Sequence, residues 1–132
     1  MHMVAFMYPN APGASFDFEH FTNVHLPLGL GLTLKHLKLT PTKIVVYSPT
    51  SAVCGAQAPY ITISSVFFET QDQAEAFSRL FEVEEAARRL SADFPNYTPG
   101  PPQVLVAKVV ELTDMKGFVD KFALMEQATL AS

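Results

Sequence analysis

Four short apolar runs alternate with two stretches of helical spacing, and that order limits the possible folds more than any other feature. Residues 3–8 form the first run, closed by the turn-rich Pro9-Asn10-Ala11-Pro12-Gly13. From Phe16 the period changes, and Phe18, Phe21, His25 and Leu28 fall on one helical face. Residues 43–48, carrying Ile44, Val45, Val46 and Tyr47, and residues 60–69 read as the second and third strands. Thr70-Gln71-Asp72-Gln73 has the form of a capping box. The helix it opens should bury Ala74, Phe77 and Phe81, with Leu80, Ala87 and Leu90 as further candidates. Residues 91–102 are a loop rich in proline, residues 103–112 a fourth strand, and Thr113-Asp114 should cap a final helix.

Strand, helix, strand, strand, helix, strand is the split βαβ arrangement of an α+β, ferredoxin-like sandwich, here with one extra C-terminal helix. The first helix should kink or loosen near Pro27, which has no amide hydrogen, and Gly29 and Gly31 offer further exits. Residues 49–59 are small and polar and form a long loop.

Two helices cover only one face of a four-stranded antiparallel sheet, so the other face should alternate to polar residues. It does not. Val4 and Phe6 oppose Met3, Ala5 and Met7, and Ile44 and Val46 oppose Val45 and Tyr47. An open apolar sheet face exceeds what a monomer ordinarily leaves wet. Face-to-face pairing of two copies is the simplest cover, which gives a homodimer. The competing arrangement folds the C-terminal helix over that face, on its own chain or on the partner.

The balance of charge narrows the partners. With 9 Lys and Arg against 13 Asp and Glu, the net charge is -4, and the basic residues form no stripe. Nucleic acid and anionic membrane surfaces are therefore not expected partners. Cys54 is the one cysteine, so no internal disulfide is expected. The first residues lack the charge pattern of a secretion signal, and no apolar run approaches the ~20 residues of a membrane span. The cytoplasm is the expected compartment.

His25 is the residue of chemical interest. It shares the apolar helix face with Phe18 and Phe21, beside Pro27. One reading is a core histidine satisfied by a carbonyl. The other is a general acid/base in a pocket between helix and sheet, kept neutral by burial. His20, five residues earlier, should fall off that face on an α-helical count. The four histidines offer no metal-ligand spacing, and no metal or cofactor is expected. Cys54 has no neighbour in sequence that would activate it. In Asp93-Phe94-Pro95-Asn96-Tyr97-Thr98, Asp93 and Asn96 suit local turn bonds, while Tyr97 could bring a phenol to the pocket mouth. Tyr8, Phe21, Tyr47, Asn96 and Tyr97 are the candidate pocket residues around His25. For Tyr8 and Tyr47, core packing is the plainer role.

These pieces together resemble the EthD domain. Tyr8-Pro9, Phe16-Asp17 and His25-Leu26-Pro27-Leu28 are similar to its first half. Phe68, Ala76-Phe77 and Asp93-Phe94-Pro95-Asn96-Tyr97-Thr98 are similar to its second. The resemblance makes residues 1–112 an EthD-like domain and residues 113–132 a helical extension. It implies a dimeric α/β barrel and proton transfer without a cofactor on a hydrophobic cyclic or aromatic substrate: dehydration, decarboxylation or isomerisation. It assigns His25 as the acid/base and Tyr97 as a pocket partner. The alternative is a dimeric module that binds a small hydrophobic ligand without turning it over. Gly29 and Gly31 stand where relatives continue a charged helix.

Overall fold

The computed structural model describes residues 1–131. β1 (His2–Pro9), β2 (Lys43–Tyr47), β3 (Tyr60–Phe68) and β4 (Gln103–Lys108) form one antiparallel sheet in the order β2-β3-β1-β4. The alternation of side chains across a strand gives the sheet two distinct faces. Val4 pairs with Val66 and Val106, Phe6 with Ser64 and Val104, and Tyr8 with Thr62, so these residues share a face. Val4, Val66 and Phe68 pack there against Leu32, Phe77 and Leu90 of the helices, which makes this the helix-covered face. Met3, Ala5, Met7 and their partners Phe67, Ser65 and Ile63 occupy the other.

The first helical stretch differs from expectation in an instructive way. α1 (Phe18–His20) starts at Asp17, whose carboxylate accepts from the His20 amide at 3.0 Å. The chain then widens into a π-helical turn, Phe21–His25, closed by the Leu26 amide bonding the Phe21 carbonyl, before continuing as α2 (Leu26–Leu37). The helix does not end at Pro27 or at the glycines. A proline inside an α-helix has no N–H to donate the backbone hydrogen bond, and its ring presses on the preceding turn. The switch in hydrogen-bond register falls immediately before Pro27, so the proline sits near the start of the resumed α-helix, where its missing N–H costs least. α2 ends on Lys38, a left-handed residue with φ 57°.

The second helical stretch is divided. α3 (Gln71–Ser78) carries the expected capping box, with Thr70 and Gln73 bonding reciprocally. The helix breaks at Arg79, passes through a 3-10 turn at Leu80–Glu82, and resumes as α4 (Glu84–Asp93). The break shifts the phase of everything after it. Leu80 and Ala86 are buried, while Phe81, which an unbroken helix would bury, is 38% exposed.

β4 stops at Lys108, short of the expected Leu112. The chain beyond it bonds Met1 through the Val109 amide, and Glu111 pairs with Lys43 at 3.7 Å. Asp114 then caps α5 (Met115–Ala131) by accepting from the Gly117 amide at 2.9 Å. Met115, Phe118, Val119, Phe122 and Met125 are all exposed, so α5 covers neither sheet face of its own chain. Ser132, the last residue of the expected extension, lies outside the described residues. Among the described residues no helix is long and apolar enough to cross a membrane.

Candidate active site

Tyr8, Phe21 and Tyr97 pack as one aromatic cluster where β1, the π-helical turn and the loop after α4 meet. Phe16 joins by edge contacts to all three rings. Such edge-to-face packing holds aromatic rings in fixed orientations. Against this cluster lies His25, its ring centroid 4.5 Å from that of Tyr97 and 5.6 Å from that of Phe94.

The π-helical turn is what brings the titratable groups together. A wider turn closes with i→i+5 bonds, so residues five apart return to one side. His20 and His25 both reach Asp93, the last residue of α4. His25 Nδ1 lies 3.0 Å from Asp93 Oδ2, and His20 Nε2 lies 2.8 Å from Oδ1. Asn96 Nδ2 donates to the same Oδ1 at 3.0 Å. Asp93 is 7% exposed and His25 8%. An ionised carboxylate only accepts, so Nδ1 of His25 and Nε2 of His20 carry hydrogens. Nε2 of His25 is then the nitrogen left free, and among the described residues it has no hydrogen-bond partner.

Burial works against both charges, with different outcomes. For His25, loss of solvent outweighs the pull of Asp93, and its pKa falls below the ordinary histidine value. For Asp93, burial pushes upward, but the hydrogen bonds from Asn96, His20 and His25 together win and hold it below the usual carboxylate range. The site thus favours a neutral imidazole on an ionised carboxylate. Tyr8 and Tyr97 join hydroxyl to hydroxyl at 2.9 Å. Burial pushes Tyr8 up to about 12, and burial together with Tyr8 raises Tyr97 as well. Both phenols therefore stay protonated.

His25 borders a cavity of about 70 Å³ between helices and sheet. Phe6, Tyr8, Phe21, Phe77 and Leu80 also line it, and its wall is largely apolar. Phe81 and Val104, both partly exposed, stand at its rim. A second, polar cleft of about 360 Å³ runs between residues 13–17 and 95–99, with Tyr97 of the aromatic cluster in its wall.

Of the residues singled out in the sequence, His25, Tyr8 and Phe21 border the cavity. Tyr97 touches His25 and bonds Tyr8 but lines the polar cleft, as does Asn96. Tyr47 is not a pocket residue. It pairs with Ile63 on the opposite sheet face and is 52% exposed. Strand alternation settles this: Val46 faces the helices, so its neighbour Tyr47 cannot. His20 and Asp93 were not expected in the site. Asp93 read as a turn residue, and an α-helical count put His20 off the face. The only cue in the chain was Pro27, which an ordinary helix would not accept. Among the described residues, no group of three His, Cys, Asp or Glu side chains forms a metal-ligand set.

The arrangement is an α+β ferredoxin-like sandwich of the EthD-like kind. In fold it is similar to an EthD-like protein from Ralstonia eutropha JMP134, at 18% identity and TM-score 0.65, covering 86% of this chain and 95% of that one. It is also similar to an ethyl tert-butyl ether D (EthD) family protein from Bacillus halodurans C-125, at 11% identity and TM-score 0.54, covering 83% and 99%. A protein from Arabidopsis thaliana aligns at 11% identity and TM-score 0.50, covering 85% and 97%. The sequence matches no protein-family model and no curated protein.

Proposed function

We propose that this chain is a cofactor-free acid–base enzyme of the EthD type, moving a proton on a hydrophobic cyclic or aromatic substrate. The observation that carries the reading is the His25–Asp93 contact of 3.0 Å, with His25 itself lining an apolar cavity. A buried imidazole kept neutral, with Nδ1–H held by a carboxylate, presents a basic Nε2. As Nε2 takes a proton, Asp93 stabilises the imidazolium across the bond already in place. The same nitrogen then returns the proton to another substrate atom, which serves isomerisation, or to a leaving hydroxyl, which serves dehydration. Proton transfer by a positioned histidine contributes roughly 10²–10⁴-fold in rate. The apolar wall excludes water and suits a hydrocarbon ring.

We further infer that the working unit is a homodimer paired through the open sheet face, as in a dimeric α/β barrel. Val45, Tyr47 and Leu105 project from that face and are each more than 40% exposed.

The test uses 2-indanone, a compact ring ketone whose two methylenes exchange hydrogen for deuterium in D2O. Wild-type protein should accelerate that exchange above buffer, and His25→Gln should abolish the acceleration with the fold unchanged by circular dichroism. Equal exchange in wild type and His25→Gln overturns the acid–base reading. Saturable binding of 2-indanone with no acceleration would establish the non-catalytic binding module instead.

A further inference from the structure

Among the described residues, three buried side-chain polar atoms lack a hydrogen-bond partner: His2 Nδ1, Thr62 Oγ1 and Ser64 Oγ. Of these residues only Ser64 borders the His25 cavity. It is 2% exposed, in the middle of β3, opposite Phe6 on β1 and Val46 on β2. Its cross-strand neighbours are therefore apolar, while Thr62, two residues before it on the same face, carries the other unpartnered hydroxyl of β3 away from the cavity lining. A buried hydroxyl without a partner is destabilising, and core positions of this kind are ordinarily filled by valine or alanine. The strand supplies the comparison, because Val66, the next residue on the same face, packs into the core.

We propose that Ser64 is the second polar anchor of the cavity and sets the substrate class: an apolar ring bearing a carbonyl oxygen, which accepts the Ser64 O–H. This assignment rests on the acid–base reading of His25 and extends it. The cavity then offers two unlike polar points in an apolar wall. One is a base, Nε2 of His25. The other is a neutral hydroxyl donor. A ketone uses both at once. When Nε2 of His25 removes a proton from the carbon beside the carbonyl, the electron pair of that C–H bond moves onto the carbonyl oxygen. The enolate oxygen then accepts the Ser64 hydrogen bond more strongly than the ketone did. In a β,γ-unsaturated ketone the enolate is conjugated, and returning the proton from the imidazolium to the γ-carbon completes an isomerisation. In a β-hydroxy ketone the imidazolium gives the proton to the hydroxyl, which leaves as water while the enolate electron pair forms the carbon–carbon double bond, completing a dehydration.

Size agrees with this division. About 70 Å³ holds a functional group and a few attached carbons, roughly the space of two waters. The remainder of a ring would extend past Phe81 and Val104 at the rim.

The experiment compares 2-indanone with indane, the same ring body with and without the carbonyl, by NMR titration of the full chain. Wild type should bind the ketone about tenfold more tightly, a typical value for one hydrogen bond in an apolar site. Ser64→Ala should erase that preference while leaving indane affinity unchanged, and its thermal stability should equal or exceed wild type, since the hydroxyl it removes is unpaired. Retained ketone preference in Ser64→Ala overturns the anchor. So does a clear loss of stability, which would mean that the hydroxyl is already satisfied in the unliganded protein. His25→Gln separates the two readings. Loss of deuterium exchange with ketone preference intact supports both roles. Ketone preference in wild type without any exchange removes the base and leaves the anchor standing.

Discussion

His20 and His25, five positions apart, grip opposite oxygens of one carboxylate, Asp93. A regular α-helix separates residues five apart by about 140° around its axis, so this grip requires the π-helical turn between them. The turn, the proline after it and the carboxylate at the end of α4 form one device that holds the His25 ring in a single tautomer.

Removing the charge but keeping the shape tests that device. Asp93→Asn should release His25 from the Nδ1–H tautomer, read directly from its ring nitrogen shifts in 15N NMR. Unfolding free energy should fall by about 1–3 kcal/mol, as expected when buried donors lose an ionised acceptor. Any His25-dependent exchange should drop on the order of 10²-fold, because the imidazolium loses its counter-charge. An unaltered tautomer would show that the ring is held by its aromatic neighbours alone.

Acid should weaken the fold in two stages. His25 has a folded pKa below its ordinary 6.5 because burial disfavours the cation. Below pH 6.5 the unfolded chain therefore takes up a proton that the folded protein refuses, and stability is lost as pH falls through the folded value. Asp93, held below 3.8, adds a second loss of the same sign at lower pH. Urea midpoints measured from pH 8 to pH 3 should fall across both windows. In His25→Gln the first decline should shrink and the second remain.

The tyrosine pair predicts non-additivity. Tyr8 and Tyr97 are 2% and 3% exposed, and their hydroxyls bond one another. Either Tyr→Phe change strands the other hydroxyl in an apolar cluster, at a cost of about 1–3 kcal/mol. The double change, Tyr8→Phe with Tyr97→Phe, removes both polar groups and should cost less than the sum of the singles. A double-mutant cycle by chemical denaturation measures the difference.

How far the sequence reveals this molecule depends on which interactions are local. Strand order, the capping box at Thr70 and the inward position of His25 are legible because each is written in a short period or a single turn. The site was legible only in part. Asp93 lies 68 positions from His25, and no spacing rule connects them. His20 is hidden because one extra residue in a helical turn is silent in the pattern of apolar residues. Phe81 is hidden in the same way by the break at Arg79. Tyr47 follows from alternation with Val46 once the inner face of β2 is known.

The uncovered sheet face yields the last prediction. Leu105 is 55% exposed and lies in one cross-strand row with Ala5, Ser65 and Val45 on the face away from the helices, so it belongs to a sheet face and is not an isolated surface leucine. Two copies pairing there would bury about 800 Å² each in an interface of ordinary size, and a charge at its centre would have no partner. Leu105→Glu should therefore convert a dimer to a monomer in analytical ultracentrifugation. Leu34→Glu, an equally exposed leucine on α2, should leave the dimer intact. A monomeric wild type would refute the pairing, and the apolar side chains of α5 and the outer sheet would then face water in the working protein.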